Sequence, residues 1–150
     1  MTGHLLVQNA IMVLHDRVVE GDLRISRGSI ATVAPGGGLV PTSADTVIDG
    51  TGLHLLPGAI DPQVHFREPG QPEKEDLGSG SRAAAAVGVT AFLDMPNNNP
   101  VATTRASMDA KIASAAANGV THHGFFIGAT PNNVADLQSI AGMDGVCGIK

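Results

Sequence analysis

The sequence predicts an α/β protein in which a small N-terminal β segment precedes the first half of a (β/α)₈ barrel. Residues 4–56 carry short strand patterns, whereas residues 57–150 alternate strand and helix patterns. Polar residues cluster where the predicted strands of the second part end. We therefore expect two parts: residues 1–56 as one segment of a composite β domain, and residues 57–150 as a half-barrel that is truncated at its fourth strand.

The first part contains five strand-like runs that are separated by turn-forming residues. The Arg27-Gly28 pair predicts a tight turn between the second and third runs. Glycine and proline residues within 35–43 predict a loop before the fourth run. The five predicted strands are LLVQNAIMVL, DLRIS, SIATVA, TVID and LHLL.

The second part opens with a strand in LLPGAIDPQVHF and a helix in LGSGSRAAAAVG. Acidic Glu73, Glu75 and Asp76 precede this helix, where negative charge suits the positive end of the helix dipole. Gly88 follows the alanine run and is expected to end the helix. This unit is the first strand and crossover helix of the predicted parallel sheet.

Three more strands and two more helices follow in alternation. The strands are VTAFLDM, VTHHGFFIGA and GVCGIK. A helix from about Thr104 to Asn118 is expected to bury Met108, Ile112 and Ala115 or Ala116, and one beginning near Asn132 is expected to bury Val134, Leu137 and Ile140 or Ala141. Cys147 lies in an apolar run, so we expect a small buried core residue and not a nucleophile.

Four parallel strands could also form a Rossmann-type sheet, but no G-x-G-x-x-G joins a strand to a helix here. The polar clusters favour the barrel. They lie at Asp61 to Arg67, at Asp94 to Asn99 and at Lys150, each at the end of a predicted strand. In a barrel these ends meet on the face where such enzymes place their active sites.

Composition excludes several classes of function. No apolar run approaches the ~18 to 20 residues that a membrane span needs, and the N-terminal run lacks the basic start and small-residue cleavage site of a signal peptide. A net charge of −5 with nine Lys and Arg residues argues against a nucleic-acid partner. The single cysteine agrees with a reducing compartment. We therefore expect a cytoplasmic protein with a small-molecule substrate, and neither membrane nor nucleic acid as a partner.

The segment DPQVHFREPG carries the residues best suited to chemistry. Gln63, His65 and Arg67 alternate, so they share one side for as long as the strand remains extended. An imidazole can bind a divalent metal, and a guanidinium can hold a carboxylate with two parallel hydrogen bonds. Taken alone, such a histidine is more often an ordinary polar residue, and such an arginine more often forms a surface ion pair.

The run LPGAIDPQVHFREPG, followed by KEDLGSGSRAAAAVGVTAFLDMPNNNP, resembles the start of a dihydroorotase of the amidohydrolase superfamily. The resemblance extends over nearly the whole chain. The N-terminal part resembles the small β domain that flanks the amidohydrolase barrel, and GVCGIK resembles its fourth strand. HFREPG and DMPNNNP favour dihydroorotases over hydantoinases, while allantoinases are closer alternatives.

The resemblance implies a zinc hydrolase that interconverts dihydroorotate and N-carbamoyl-L-aspartate in pyrimidine biosynthesis. It implies that His65 is the second histidine of an H-x-H metal motif, and that carboxylated Lys150 bridges two Zn²⁺ ions. Arg67 and Asn97 match the pair that binds the carboxylate of the substrate. A bridged metal pair would acidify a bound water and polarise the amide carbonyl, so the ring would open by metal-assisted hydrolysis.

The sequence departs from this pattern at the first histidine of the metal motif. Gln63 occupies that position, and its neutral amide is a poorer zinc ligand than imidazole. Two histidines and an aspartate that the family takes from later strands lie outside the 150 residues, so we expect this chain alone to be inactive. The alternatives are an allantoinase-type or hydantoinase-type amidohydrolase, or a non-catalytic protein that assembles with itself or with a transcarbamoylase.

Overall fold

A computed structural model describes residues 3–150, which fall into two compact units divided after Pro57. Strands make up the regular structure of the first unit, and strands alternate with helices in the second. No helix in this stretch has the length and apolar character required to cross a bilayer. Each unit has its own hydrophobic core.

The first unit is a five-stranded sheet in the order β3-β2-β1-β4, with the short β5 also pairing with β1. The β1-β2 and β2-β3 pairs are antiparallel, whereas β4 and β5 run parallel to β1. The predicted turn between the second and third strands is confirmed, with Arg27 and Gly28 both at positive φ. The strands are β1 His4–Val13, β2 Val18–Ser26, β3 Ser29–Pro35, β4 Asp45–Asp49 and β5 His54–Leu55.

A buried carboxylate holds the irregular backbone of this unit together. Asp22 is 2% exposed and accepts hydrogen bonds from the backbone N–H groups of Asn9 and Leu39, at 3.0 and 2.9 Å. Asn9 has a positive φ and lies where the β1-β2 register shifts. The Asn9 N–H in particular lowers the pKa of Asp22, because these bonds stabilise the ionised form.

The second unit is a four-stranded parallel sheet in the order β6-β7-β8-β9, in which a helix follows each of the first three strands. Because all four strands are parallel, their carboxyl ends lie along one edge of the sheet. The elements are β6 Ala59–Val64, α1 Leu77–Ala86, β7 Val89–Asp94, α2 Arg105–Asn118, β8 His122–Ile127, α3 Val134–Ser139 and β9 Val146–Ile149.

Polar caps fix where the two longer helices begin. Asp76 caps α1 and Thr104 caps α2. Each cap side chain accepts a hydrogen bond from the backbone N–H of the third helical residue, which is a serine. The serine hydroxyl in turn accepts from the backbone N–H of the cap residue. Gly88 follows α1 with a φ of 83°, a conformation that favours glycine. α2 begins one residue after Thr104, its cap, and ends at Asn118, so the predicted helix from about Thr104 to Asn118 agrees with it to within one residue.

The core of this unit contains three phenylalanine rings in edge-to-face contact, together with apolar side chains from the helices. Phe92 lies between Phe66 and Phe125, with ring centroids 4.7 and 6.4 Å away. Met108 and Ala115 of α2 are buried as expected, and Ile112 is partly buried against the same core. Further core residues are Leu77, Ala102, Ile127 and Ile140.

Two burial predictions are wrong. Val134 is 58% exposed because it is the first residue of a helix only six residues long, while Leu137 and Ile140 do face the core. Cys147 is exposed because its strand, β9, pairs only with β8 among residues 3–150. A strand at the edge of a sheet leaves side chains uncovered that an internal strand would bury.

Candidate functional site

Two loops at the carboxyl edge of the parallel sheet form the candidate site. The first loop, residues 65–70, follows β6, and the second loop, residues 95–99, follows β7. They start side by side, because Val64 pairs with Asp94 and the N–H of Met95 donates to the Val64 carbonyl at 3.0 Å. β6 ends at Val64, so His65 lies in the first loop, whereas the sequence pattern placed it on the predicted strand.

His65 contacts the second loop directly. Its Nδ1 lies 2.7 Å from Oδ1 of Asn97, and both residues are exposed. With the amide oxygen as acceptor, the imidazole carries its proton on Nδ1 and its lone pair on Nε2. Nε2 is therefore the nitrogen that can bind a metal ion or accept a proton.

Arg67 and Asn97 line one small pocket of about 140 Å³, together with Phe66, Pro69, Gln71, Asn98 and Asn99. Within residues 3–150, the Arg67 guanidinium has no ion pair or hydrogen bond, and neither does the Asn97 amide nitrogen. Arg67 is held in place through its backbone, because its N–H donates to the Glu75 carbonyl at 3.1 Å. Two sets of unpaired donors thus share one pocket, which suits a carboxylate.

Lys150 follows β9, which lies at the other end of the strand order from β6, and its side chain reaches the second loop. Its Nζ lies 3.4 Å from Sδ of Met95, and its N–H donates to the Ile127 carbonyl at 2.9 Å. His65 and Lys150 therefore contact residues of the second loop that are two positions apart, about 7 Å at most along the chain. The structure brings His65, Arg67 and Asn97 together and places Lys150 against the same loop.

The donors around this edge fit only part of a zinc site. Zinc in proteins takes four ligands, usually from His, Cys, Asp or Glu. Across residues 3–150, no group of three such side chains is placed to hold a metal ion. His65 and a carboxylated Lys150 would supply two ligands, and Gln63 is an exposed neutral amide two residues before His65.

A buried ion pair beneath the loops was missed by the sequence reasoning. Lys111 of α2 donates to Asp94 and to Oδ1 of Asn98, both at 2.6 Å. Burial raises the pKa of Asp94 and lowers the pKa of Lys111. The attraction between the two charges acts in the opposite direction on both pKa values and is the smaller effect. The available signal was its spacing, because Lys111 lies on the same helical face as Met108 and Ala115.

Further contacts lock the two loops together. Asn98 donates from Nδ2 to the carbonyls of Phe66 and Glu68, both at 3.0 Å. The Glu68 carboxylate accepts from the Leu77 N–H at 2.9 Å and from the Ser114 hydroxyl. A side chain at Gly70 would lie 2.5 Å from the Asn99 carbonyl, so the close approach of the loops requires glycine there.

Comparisons with known proteins identify the family. The profile of the dihydro-orotase-like family matches residues 52–145. An allantoinase of Desulfitobacterium hafniense is 36% identical over 147 residues, which is 97% of this chain and 32% of the allantoinase. A dihydroorotase of Bacillus licheniformis is 39% identical over 105 residues, which is 69% of this chain and 24% of that protein.

Solved structures confirm the predicted fold class. The L-hydantoinase (dihydropyrimidinase) of Arthrobacter aurescens superposes with a TM-score of 0.84 at 24% identity, covering 99% of this chain and 32% of that one. A likeness at this identity shows the fold alone: a small β segment followed by the first four strands of a (β/α)₈ barrel. The chain spans about one third of the length of the allantoinases that it matches. The match over residues 52–145 shows that this chain belongs to the dihydro-orotase-like family of the amidohydrolase superfamily.

Proposed function

We propose that this chain forms part of a hydrolase that opens a cyclic amide ring, with dihydroorotate and N-carbamoyl-L-aspartate as its substrate pair. The relatives include allantoinases as well as dihydroorotases, so family membership supports the reaction class and not the substrate. One observation favours dihydroorotate: the unpaired donors of Arg67 and Asn97 share one pocket. Dihydroorotate carries a ring carboxylate for these donors to bind, whereas allantoin and hydantoin carry none.

Each residue of the site then has a separate role. The guanidinium of Arg67 binds the two carboxylate oxygens of the substrate, and the Asn97 amide nitrogen donates a further hydrogen bond. The contact between Asn97 and His65 fixes the orientation of the imidazole relative to the bound carboxylate. His65 through Nε2 and Lys150 after carboxylation are the residues of this chain that would hold zinc. Bound zinc would supply a polarised carbonyl and an acidified water.

A comparison of substrates tests the proposal. The longest natural polypeptide that carries this sequence is assayed for ring opening with dihydroorotate, allantoin and hydantoin in parallel. We expect kcat/KM for dihydroorotate to exceed the other two values by about tenfold or more, which corresponds to ~1.4 kcal/mol of selective binding. A preference for allantoin would refute the substrate, and no turnover of any ring would refute the catalytic proposal.

The glutamine at position 63 favours a second candidate function, in which the protein assembles with itself or with a transcarbamoylase and does not catalyse. Zinc analysis of the wild type and of Gln63→His separates the two candidates. The catalytic proposal expects bound zinc in the wild type and tighter binding in the variant, because imidazole is the better ligand. The assembly hypothesis expects no zinc in either form and a stoichiometric protein partner in a pull-down.

A further inference from the structure

The ion pair beneath the two loops is not explained by stability. Lys111 and Asp94 approach to 2.6 Å with side chains that are 1% and 0% exposed. Removing two charges from water is costly, and apolar residues of similar volume often give equal or greater stability at such positions. A role that only hydrogen-bonding side chains can perform would account for the charged pair.

The hydrogen bonds of the pair converge on the backbone of Phe66. Asp94 accepts from the Phe66 N–H through Oδ1 at 3.0 Å, while its Oδ2 accepts from Lys111. Asn98 uses Oδ1 to accept from Lys111 and Nδ2 to donate to the Phe66 carbonyl at 3.0 Å. Both polar backbone groups of Phe66 are therefore held by side chains that Lys111 itself holds.

Phe66 and Asn98 are the chain neighbours of the residues that face the pocket. Phe66 lies between His65 and Arg67, and its ring is packed 4.7 Å from that of Phe92. Asn98 directly follows Asn97. Fixing Phe66 and Asn98 therefore fixes the backbone on which His65, Arg67 and Asn97 are carried. Displacements of about 1 Å in such groups are enough to cost an enzyme much of its rate.

We propose that Lys111 is a positioning residue, which acts through Asp94 and Asn98 to hold the first and second loops in the arrangement that binds substrate. Lys111 itself is buried and does not line the small pocket of Arg67 and Asn97. Its effect on substrate rests on the proposed function, whereas its effect on the order of the loops does not.

The test uses the double variant Lys111→Met with Asp94→Leu, which removes both charges. It is made in the longest natural polypeptide that carries this sequence. The apolar pair leaves no buried charge unpaired, so we expect cooperative unfolding, with Tm lowered only by the polar groups that lose their partners. The Phe66 N–H and the Asn98 side chain lose their partners, so amide hydrogen exchange within residues 65–70 and 95–99 should accelerate about tenfold or more. KM for dihydroorotate should rise about tenfold, with a smaller change in kcat.

The matched control is Arg105→Met with Asp109→Leu. This pair also has its basic residue on α2 and approaches to 3.1 Å, but its side chains are about half exposed and bond neither loop. Exchange in the two loops and KM should stay at wild-type values in the control. The single variant Lys111→Met should be less stable than the double variant, because it leaves Asp94 buried without its partner.

Two results would overturn the proposal. One is a stable double variant whose loops exchange as slowly as those of the wild type. The other is a double variant that no longer unfolds cooperatively, since the pair would then be needed for folding itself. If the wild type opens none of the rings, the proposed function fails, but the exchange measurement still decides whether Lys111 orders the loops.

Discussion

At the residue scale, the site is defined by side chains that lack partners. Arg67 and Asn97 present donors to one pocket without a protein acceptor for either group in the stretch from residue 3 to residue 150. An unpaired guanidinium is a strong binding group for a planar anion, because its N–H groups match both oxygens of a carboxylate. The neighbouring Asn98 is used for structure instead, because its amide nitrogen is bonded to the first loop.

Replacing Arg67 by alanine should weaken substrate binding without unfolding the protein. The loss of charge-assisted hydrogen bonds is worth ~2 kcal/mol, so KM for dihydroorotate should rise about 30-fold. Arg67→Lys should restore only part of this, because an ammonium keeps the charge but not the paired geometry. Steady-state kinetics measure the effect, with Arg17→Ala as the control, since the Arg17 side chain pairs with the neighbouring Asp16 on the surface. Equal KM values for the two alanine variants would refute the role of Arg67.

At the scale of elements, the first loop is held against α1 as well as against the second loop. Phe66 is 8% exposed and packs over Gly80 of α1, where a built Cβ would lie 2.4 Å from the Phe66 ring. Glycine normally weakens a helix by roughly 0.5 to 1 kcal/mol relative to alanine. Here it allows α1 to approach Phe66, which lies between His65 and Arg67 in the first loop.

Gly80→Ala should therefore destabilise the protein despite the gain in helix propensity. Overpacking of a filled core costs ~1 to 3 kcal/mol, which outweighs the propensity term. The measurement is urea-induced unfolding, with Gly78→Ala on the same helix as the control, because its nearest atoms lie 3.3 Å from a built Cβ. We expect Gly80→Ala to lower the free energy of unfolding by more than Gly78→Ala does. The reverse order would contradict the packing argument.

At the scale of the whole molecule, the parallel sheet has two open edges in the described part of the chain. β6 pairs only with β7, and β9 pairs only with β8. Ile60 and Ile149 on these strands are 64% and 57% exposed. Unpaired backbone groups together with exposed apolar side chains favour association with another strand.

The 150-residue polypeptide on its own should therefore self-associate. Sedimentation velocity should show species larger than the monomer, increasing with concentration. Ile149→Lys should reduce this association by placing a charge on the β9 edge. Val87→Lys, which changes an exposed valine after α1, should have little effect. A monodisperse monomer at all concentrations would contradict the interpretation of the sheet edges.

Local patterns predicted much of this structure because they report chemistry within a few residues of the chain. Apolar residues three and four apart predicted the buried face of α2, and acidic residues and Gly88 predicted where α1 begins and ends. The same reasoning failed for Val134 and Cys147. Their exposure depends on what neighbouring elements cover, which the spacing of residues along one element does not report.

By itself, the sequence determined the two-part α/β organisation, the order of strands and helices, and the candidate residues at the strand ends. Only the tertiary structure decided which of these residues meet. Lys111 bonds Asp94 and Asn98, and His65 bonds Asn97 from another loop. Such contacts arise from the pairing of β6 with β7 and from the packing of α2 within the same unit, against β8. A hydrogen bond between distant residues requires both partners to be placed together, and periodicity within one segment carries no information about the other.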